Sequence, residues 1–182
     1  MHLPDFLIDR YNDWKKNIFP YKKHIYQKLE DEGQKPNIMI ISCCDSRVNA
    51  STIFQSNDGD FFVHRNIANI IPPFNSATEN QSTLASIEYA IKNLKISDIV
   101  ILGHSSCGGI NHAYQLFTGE INSQNSPVDN WVKNIEPSFD KLNKNIDKER
   151  SIKSLEKLNI INSISNLIEN PEYKKLISNN KL

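Results

Sequence analysis

The 182-residue chain lacks any bias of charge: 21 Lys and Arg stand against 21 Asp and Glu, a formal net charge of zero. Without a basic excess there is no electrostatic footprint for nucleic acid or for an anionic membrane surface. A bilayer span needs about 20 consecutive apolar residues, and no stretch of this sequence approaches that, so no membrane partner is expected. The opening stretch MHLPDFLIDRYNDWKK mixes acids with apolar side chains and holds no signal-peptide hydrophobic region. Cysteine is scarce. Three residues do not make a disulfide scaffold, and the odd count argues for thiols in a reducing compartment, so a cytoplasmic protein is expected. Internal repeats and linkers are missing as well, which predicts one domain over 1–182.

The pattern that is present alternates strands with helices. Residues 5–32 carry apolar side chains at helical spacing, interrupted at Pro20, and read as an N-terminal helical arm over 1–32. Asn37–Ser42 and 97–104 are short apolar runs of the kind found in strands buried on both faces, and 60–66 is a further strand candidate. Between the second and third, residues 77–94 place Leu84, Ile87, Ala90, Ile91 and Leu94 on one helical stripe. GGINHAYQLF then starts another helix, and the chain from about Val128 is helical in pattern. The fold class is therefore α/β: a three-layer arrangement with a mainly parallel central sheet flanked by helices. Its expected parts are the arm, an α/β core over 36–118 and C-terminal helices over 128–180.

Two of the predicted strands end in chemically unusual stretches, MIISCCDSRV (39–48) and ILGHSSCGG (101–109). Ligands of open parallel sheets bind at the carboxyl edge of the strands, so Cys43, His104 and Cys107 are placed to converge although about 60 residues separate the first from the others. Two thiolates and an imidazole make a three-ligand Zn²⁺ site with one position open, the pattern of a catalytic rather than a structural zinc. Asp45 and Arg47, two apart, are positioned to pair, which would hold the carboxylate ionised and oriented. The alternatives are helix packing for His-x-x-Cys and an ordinary turn salt bridge for Asp45–Arg47. Gly108 and Gly109, two of only six glycines, read as allowing close backbone approach rather than as a phosphate cradle. His64 reads as a structural hydrogen-bonding residue. His112 is the one remaining histidine whose place, on the helix after the site, would suit a proton relay.

With these residues in view, CCDSRV followed by GHSSCGG resembles the paired signature of the β-class carbonic anhydrases, and FFVHRNIANIIPP, SIEYAIKNLKISDIVILGHSSCGG and WVKNIEPS are similar to the plant-type branch. The resemblance spans roughly residues 20–177. It implies reversible hydration of CO₂ to bicarbonate and a proton by zinc-bound hydroxide, with one Zn²⁺ per chain held by Cys43, His104 and Cys107. It implies Asp45 and Arg47 as the catalytic dyad, with Asp45 a metal ligand only in a closed form. Gln34, Phe62, Ile67 and Tyr89 fall where that branch lines its substrate pocket, and a homodimer or dimer-based oligomer is implied because pocket and site draw on two chains. Ile40 stands where closed relatives carry a tryptophan, which favours the open form. Cys44 falls at the variable position of the motif and, by strand alternation, is expected to be a small buried residue. Relatives usually add a final strand after the last helices, and the sequence ends before one is expected. A COS or CS₂ hydrolase on the same scaffold, a zinc-binding pseudoenzyme and a thiol enzyme using Cys43 are the competing readings; the last does not explain His104 and Cys107.

Overall fold

A computed structural model describes residues 2–74, 81–143 and 145–182. The order of elements is α1 (Asp5–Asn17), α2 (Phe19–Glu32), β1 (Ile38–Cys43), α3 (Ala50–Ile53), β2 (Phe61–Asn66), α4 (Gln81–Tyr89), β3 (Asp98–Leu102), α5 (Gly108–Phe117), α6 (Pro127–Val132), α7 (Glu136–Phe139), α8 (Lys148–Glu169) and α9 (Pro171–Ser178). The expected alternation holds, and the three strands form one parallel sheet in the order β2-β1-β3, flanked by helices.

β1 is central because its sequence leaves it nothing else to be. Met39, Ile40 and Ile41 are at most 1% exposed, and successive strand side chains point to opposite faces, so both faces of β1 are covered. Burying each such side chain contributes about 1.5–3 kcal/mol. Met39 and Ile41 enter a core with Ile87, Ile91, Leu167 and Tyr173, while Cys43 at the strand end joins a second with Ala68, Ile110, Val132 and Leu155. The chain passes from β1 to β2 on one side and then crosses back past β1 to β3 on the other, so the carboxyl end of β1 is the point where strand order reverses.

Several expected boundaries shift. β3 stops at Leu102 rather than running to 104, which frees His104 to turn into a loop. The helix expected over 77–94 is described from Gln81 and widens into a π-helical turn over Ala90–Leu94; its expected start, 77–80, lies outside the described residues. The four-residue helix α3 was not expected; Asn49 caps it through the Thr52 amide. Among the described residues no strand follows α9.

The arm breaks at Pro20, in the first turn of α2, where a missing amide costs nothing. Neither α1 nor α2 buries a residue; Trp14, Phe19 and Tyr26 pack together in tilted and edge-on pairs with ring centroids 5.3–6.0 Å apart, and Lys22 pairs with Asp58 at 2.7 Å. Between β2 and α4, Ala68 (φ 63°) and Asn69 (φ 48°) are both left-handed, a conformation that costs a non-glycine residue roughly 1–2 kcal/mol.

Candidate metal and catalytic site

Cys43 is the last residue of β1, His104 lies two residues beyond β3, and Cys107 is the residue that opens α5. Parallel pairing of β1 with β3 puts both strand ends on one edge, and the three potential ligand atoms lie within 4.8 Å of one another. The cysteine sulfurs are 3.9 Å apart, far beyond the roughly 2.05 Å of a disulfide, and both cysteines are free and buried.

His104 is prepared as a ligand. Its Nδ1 lies 2.9 Å from the Ser105 carbonyl, which only accepts, so Nδ1 carries the hydrogen and Nε2 presents a lone pair. That Nε2 is buried without a hydrogen-bond partner. A buried unsatisfied nitrogen facing two thiols is the donor set a Zn²⁺ ion takes, with the other ring nitrogen fixed by a backbone carbonyl as metal-bound histidines usually are. The two thiols share a hydrogen bond, and that contact pushes Cys43 down to about 4, helped by the amides of Asp45 and Ala68. The same contact, together with burial, pushes Cys107 up.

Asp45 and Arg47 meet as the spacing suggests. Arg47 Nε donates to Asp45 Oδ1 and Nη2 to Oδ2, both at 2.8 Å, while the Arg47 amide adds a third bond to Oδ1 at 2.9 Å. The guanidinium holds the carboxyl well below the usual carboxylate range. Arg47 Nη2 also reaches the Ser106 carbonyl at 3.0 Å, tying the loop after β1 to the loop after β3. Asp45 Oδ2 stands 4.0 Å from His104 Nε2.

The four residues assigned to a substrate pocket do not gather in one chain. The Phe62 and Tyr89 rings lie 6.0 Å apart, but Gln34 lines a different cavity with Tyr26, Ser51 and Phe61. Ile67 faces a third, of about 330 Å³, beside Cys44, Arg65 and Trp131. Cys44 corrects an expectation: it is exposed, because β1 ends at Cys43 and strand alternation no longer applies to the next residue. His64 bonds Thr83 Oγ1 at 3.0 Å, in keeping with a structural role. Gly109 earns its place, since a Cβ there would sit 2.6 Å from Ile67 Cγ2; Gly108 has open space around it. Missed from the sequence were Arg65, whose side chain holds the carbonyls of Cys43 (3.0 Å) and Asp45 (2.8 Å), and Glu156, which accepts the Cys107 amide at 3.1 Å. Neither carries a local motif; only the neighbouring strand and α8 bring them to the site.

Fold and site together define a parallel α/β protein with a Cys-His-Cys group that could hold a metal at the carboxyl edge of its sheet, an acid–arginine pair beside it. The carbonic anhydrase family profile matches residues 38–182, and the chain belongs to that family, in its β class. It is 31% identical over 175 residues to a carbonic anhydrase of Helicobacter pylori, covering 93% of this chain and 78% of that one. It is 29% identical over 180 residues to beta carbonic anhydrase 3 of Arabidopsis thaliana, covering 97% and 67%. The solved β-carbonic anhydrase CcaA superposes with a TM-score of 0.88 at 30% identity, over 98% of this chain and 79% of that one. A tetrameric β-carbonic anhydrase of Sordaria macrospora gives 0.78 at 31%, over 96% and 85%. The chain is thus a carbonic anhydrase, an enzyme of CO₂ hydration. No helix is long and apolar enough to cross a membrane among the described residues.

Proposed function

We propose that this chain hydrates CO₂ reversibly as a zinc enzyme, with Cys43, His104 and Cys107 holding one Zn²⁺ and Asp45 with Arg47 as the catalytic dyad. The observation that carries it is the buried, unpaired His104 Nε2 within 4.8 Å of two free thiols and 4.0 Å from an ionised carboxylate oxygen. Zinc at that place supplies Lewis acidity and lowers the pKa of water in its open coordination position.

The protein's own groups then do the orienting. Asp45 Oδ2 has a single Arg47 donor, so it keeps a lone pair to accept a hydrogen bond from the attacking water and turn that water's own lone pair toward the carbon of CO₂. Arg47 keeps the carboxylate charged and, through Ser106, keeps it registered with the opposite loop. The Asp45–Arg47 pair is closed on itself, which supports an open metal site rather than Asp45 as a fourth ligand. Gln34, Phe62, Ile67 and Tyr89 serve as substrate-pocket residues completed across two chains. Their separation within one chain, and the tetrameric relative from Sordaria macrospora, favour a dimer-based assembly; three free cysteines are the feature that suits a cytoplasmic setting.

Stopped-flow CO₂ hydration with the zinc-loaded chain tests this, alongside zinc stoichiometry by elemental analysis. Fast turnover at one zinc per chain, lost in Cys43→Ser, is the expected outcome. Folded chain that takes up one zinc and shows no turnover at any pH would overturn the proposal.

A further inference from the structure

The left-handed Ala68–Asn69 turn has a specific consequence. It holds Ala68 fully buried in the same cluster as Cys43 and Cys107. Ala68 and Ile67 also press against Gly109, in the first turn of the helix that Cys107 opens. Backbone held in a sparsely populated region persists only where its surroundings fix it.

Those surroundings are one stripe of α8. Asn159 Nδ2 donates to the Ala68 carbonyl at 2.8 Å; Ser163 Oγ receives the Ile71 amide at 3.0 Å; Asn166 Nδ2 donates to the Ile71 carbonyl at 2.7 Å. Spacings of four and three put the three side chains on one helical face, and each is buried. Three residues before Asn159, Glu156 Oε1 accepts the Cys107 amide. One helix therefore grips both the Ala68 segment that packs with Cys43 and the amide of Cys107, two cysteines 64 residues apart in sequence.

We infer that α8 is the positioning element of the metal site: Asn159 acts on Cys43 through Ala68, and Glu156 acts on Cys107 through its amide. This rests on the reading of Cys43, His104 and Cys107 as ligands. A single rigid helix that bonds both the Ala68 turn packed with Cys43 and the Cys107 amide fixes the sulfur separation that a tetrahedral ion needs.

Co²⁺ serves as the probe, titrated into the metal-free chain and followed by thiolate-to-cobalt charge-transfer absorption, with the melting temperature of each metal-free variant measured separately. Asn159→Ser and Glu156→Ala are expected to weaken Co²⁺ binding roughly 10–100-fold and to shift the band, as loss of an outer partner of a ligand does. Asn166→Ser, lower on the same stripe, is expected to lower the melting temperature while leaving affinity and band at the wild-type values. Wild-type Co²⁺ affinity and absorption in both Asn159→Ser and Glu156→Ala would overturn the inference, as would an equal weakening in Asn166→Ser. If Asn159→Ser does not fold, Glu156→Ala decides alone, since Glu156 is only half-buried. A wild-type chain that binds Co²⁺ without a charge-transfer band would instead remove the three-ligand reading, and this inference with it.

Discussion

Asp45 and Asp129 each pair with a basic side chain, and they are built to opposite ends. Asp129 is spent: Oδ1 takes His112 Nε2 at 2.7 Å, and Oδ2 takes the amides of Gln124 (2.9 Å) and Ser126 (3.3 Å) and the Ser123 hydroxyl (3.4 Å). It is also the third residue of a capping box that starts α6. Asp45 is held as firmly, by a two-pronged guanidinium, yet its Oδ2 has one donor and faces the buried His104 Nε2. Both carboxyls sit well below the usual range, Asp45 chiefly through Arg47 and Asp129 chiefly through His112. A depressed carboxyl therefore does not distinguish a working acid from a structural one. Spare hydrogen-bonding capacity beside a ligand set does.

The comparison breaks most sharply on neutralising each acid. Asp45→Asn is expected to lower CO₂ turnover about 10²–10⁴-fold, the range for a positioned proton acceptor, with one zinc still bound. Asp129→Asn is expected to leave the turnover of folded protein at the wild-type level. Stopped-flow rates with metal content measured on the same samples check both; loss of zinc in Asp45→Asn would assign that carboxylate to the metal instead.

A smaller effect is expected at the partner. Arg47→Lys keeps a positive charge but loses the fork and the reach to Ser106, so turnover should fall by roughly 10–100-fold as for other outer-shell groups. Equal loss in Arg47→Lys and Arg47→Ala would mean geometry matters and charge does not; full retention in the lysine variant would mean the reverse.

How much of this was legible follows the same division. Apolar runs bounded by polar residues were enough to place β1, β2 and β3, most sharply β1, because a strand buried on both faces has little choice of residue. Cys43, Asp45, Arg47, His104 and Cys107 were visible because each lies within a few residues of a strand end, where parallel topology converges. The groups that hold them were not. Arg65 sits in a strand where its spacing says only that it alternates, and Glu156 and Asn159 sit on a helix whose polar face reads as solvated. Cys44 was misplaced because alternation was carried one residue past the end of β1. Long-range hydrogen bonds to backbone have no period and no spacing, so no local pattern announces them.

Stability carries the next prediction. Asp129→Ala strands two backbone amides, and the melting temperature should fall by about 5–10 °C at neutral pH. The sign of the pH dependence follows from the depressed carboxyl. Its contribution is fully present above the ordinary carboxyl value near 4 and is lost as pH falls toward the lower folded value. The gap between wild type and Asp129→Ala should therefore narrow below about pH 4. A gap that widens on acidification, followed by thermal melts at stepped pH, would show that the carboxyl is not held ionised by the fold.

The smallest effect is expected at His112, and it sharpens the comparison most finely. The histidine lies five residues beyond Cys107, close enough in sequence to invite a role in moving protons, and its side chain is 30% exposed. Yet its Nε2 is committed to Asp129, an acid whose own acceptors are filled, so a proton arriving there has no onward partner toward Asp45 among the bonds of the described residues. His112→Gln, which can keep a hydrogen bond to Asp129, should leave turnover unchanged in both concentrated and dilute buffer. A relay would show itself as a rate that falls only in dilute buffer, where the protein must carry the proton unaided. That result would turn the spent pair into a second working one and erase the contrast with Asp45.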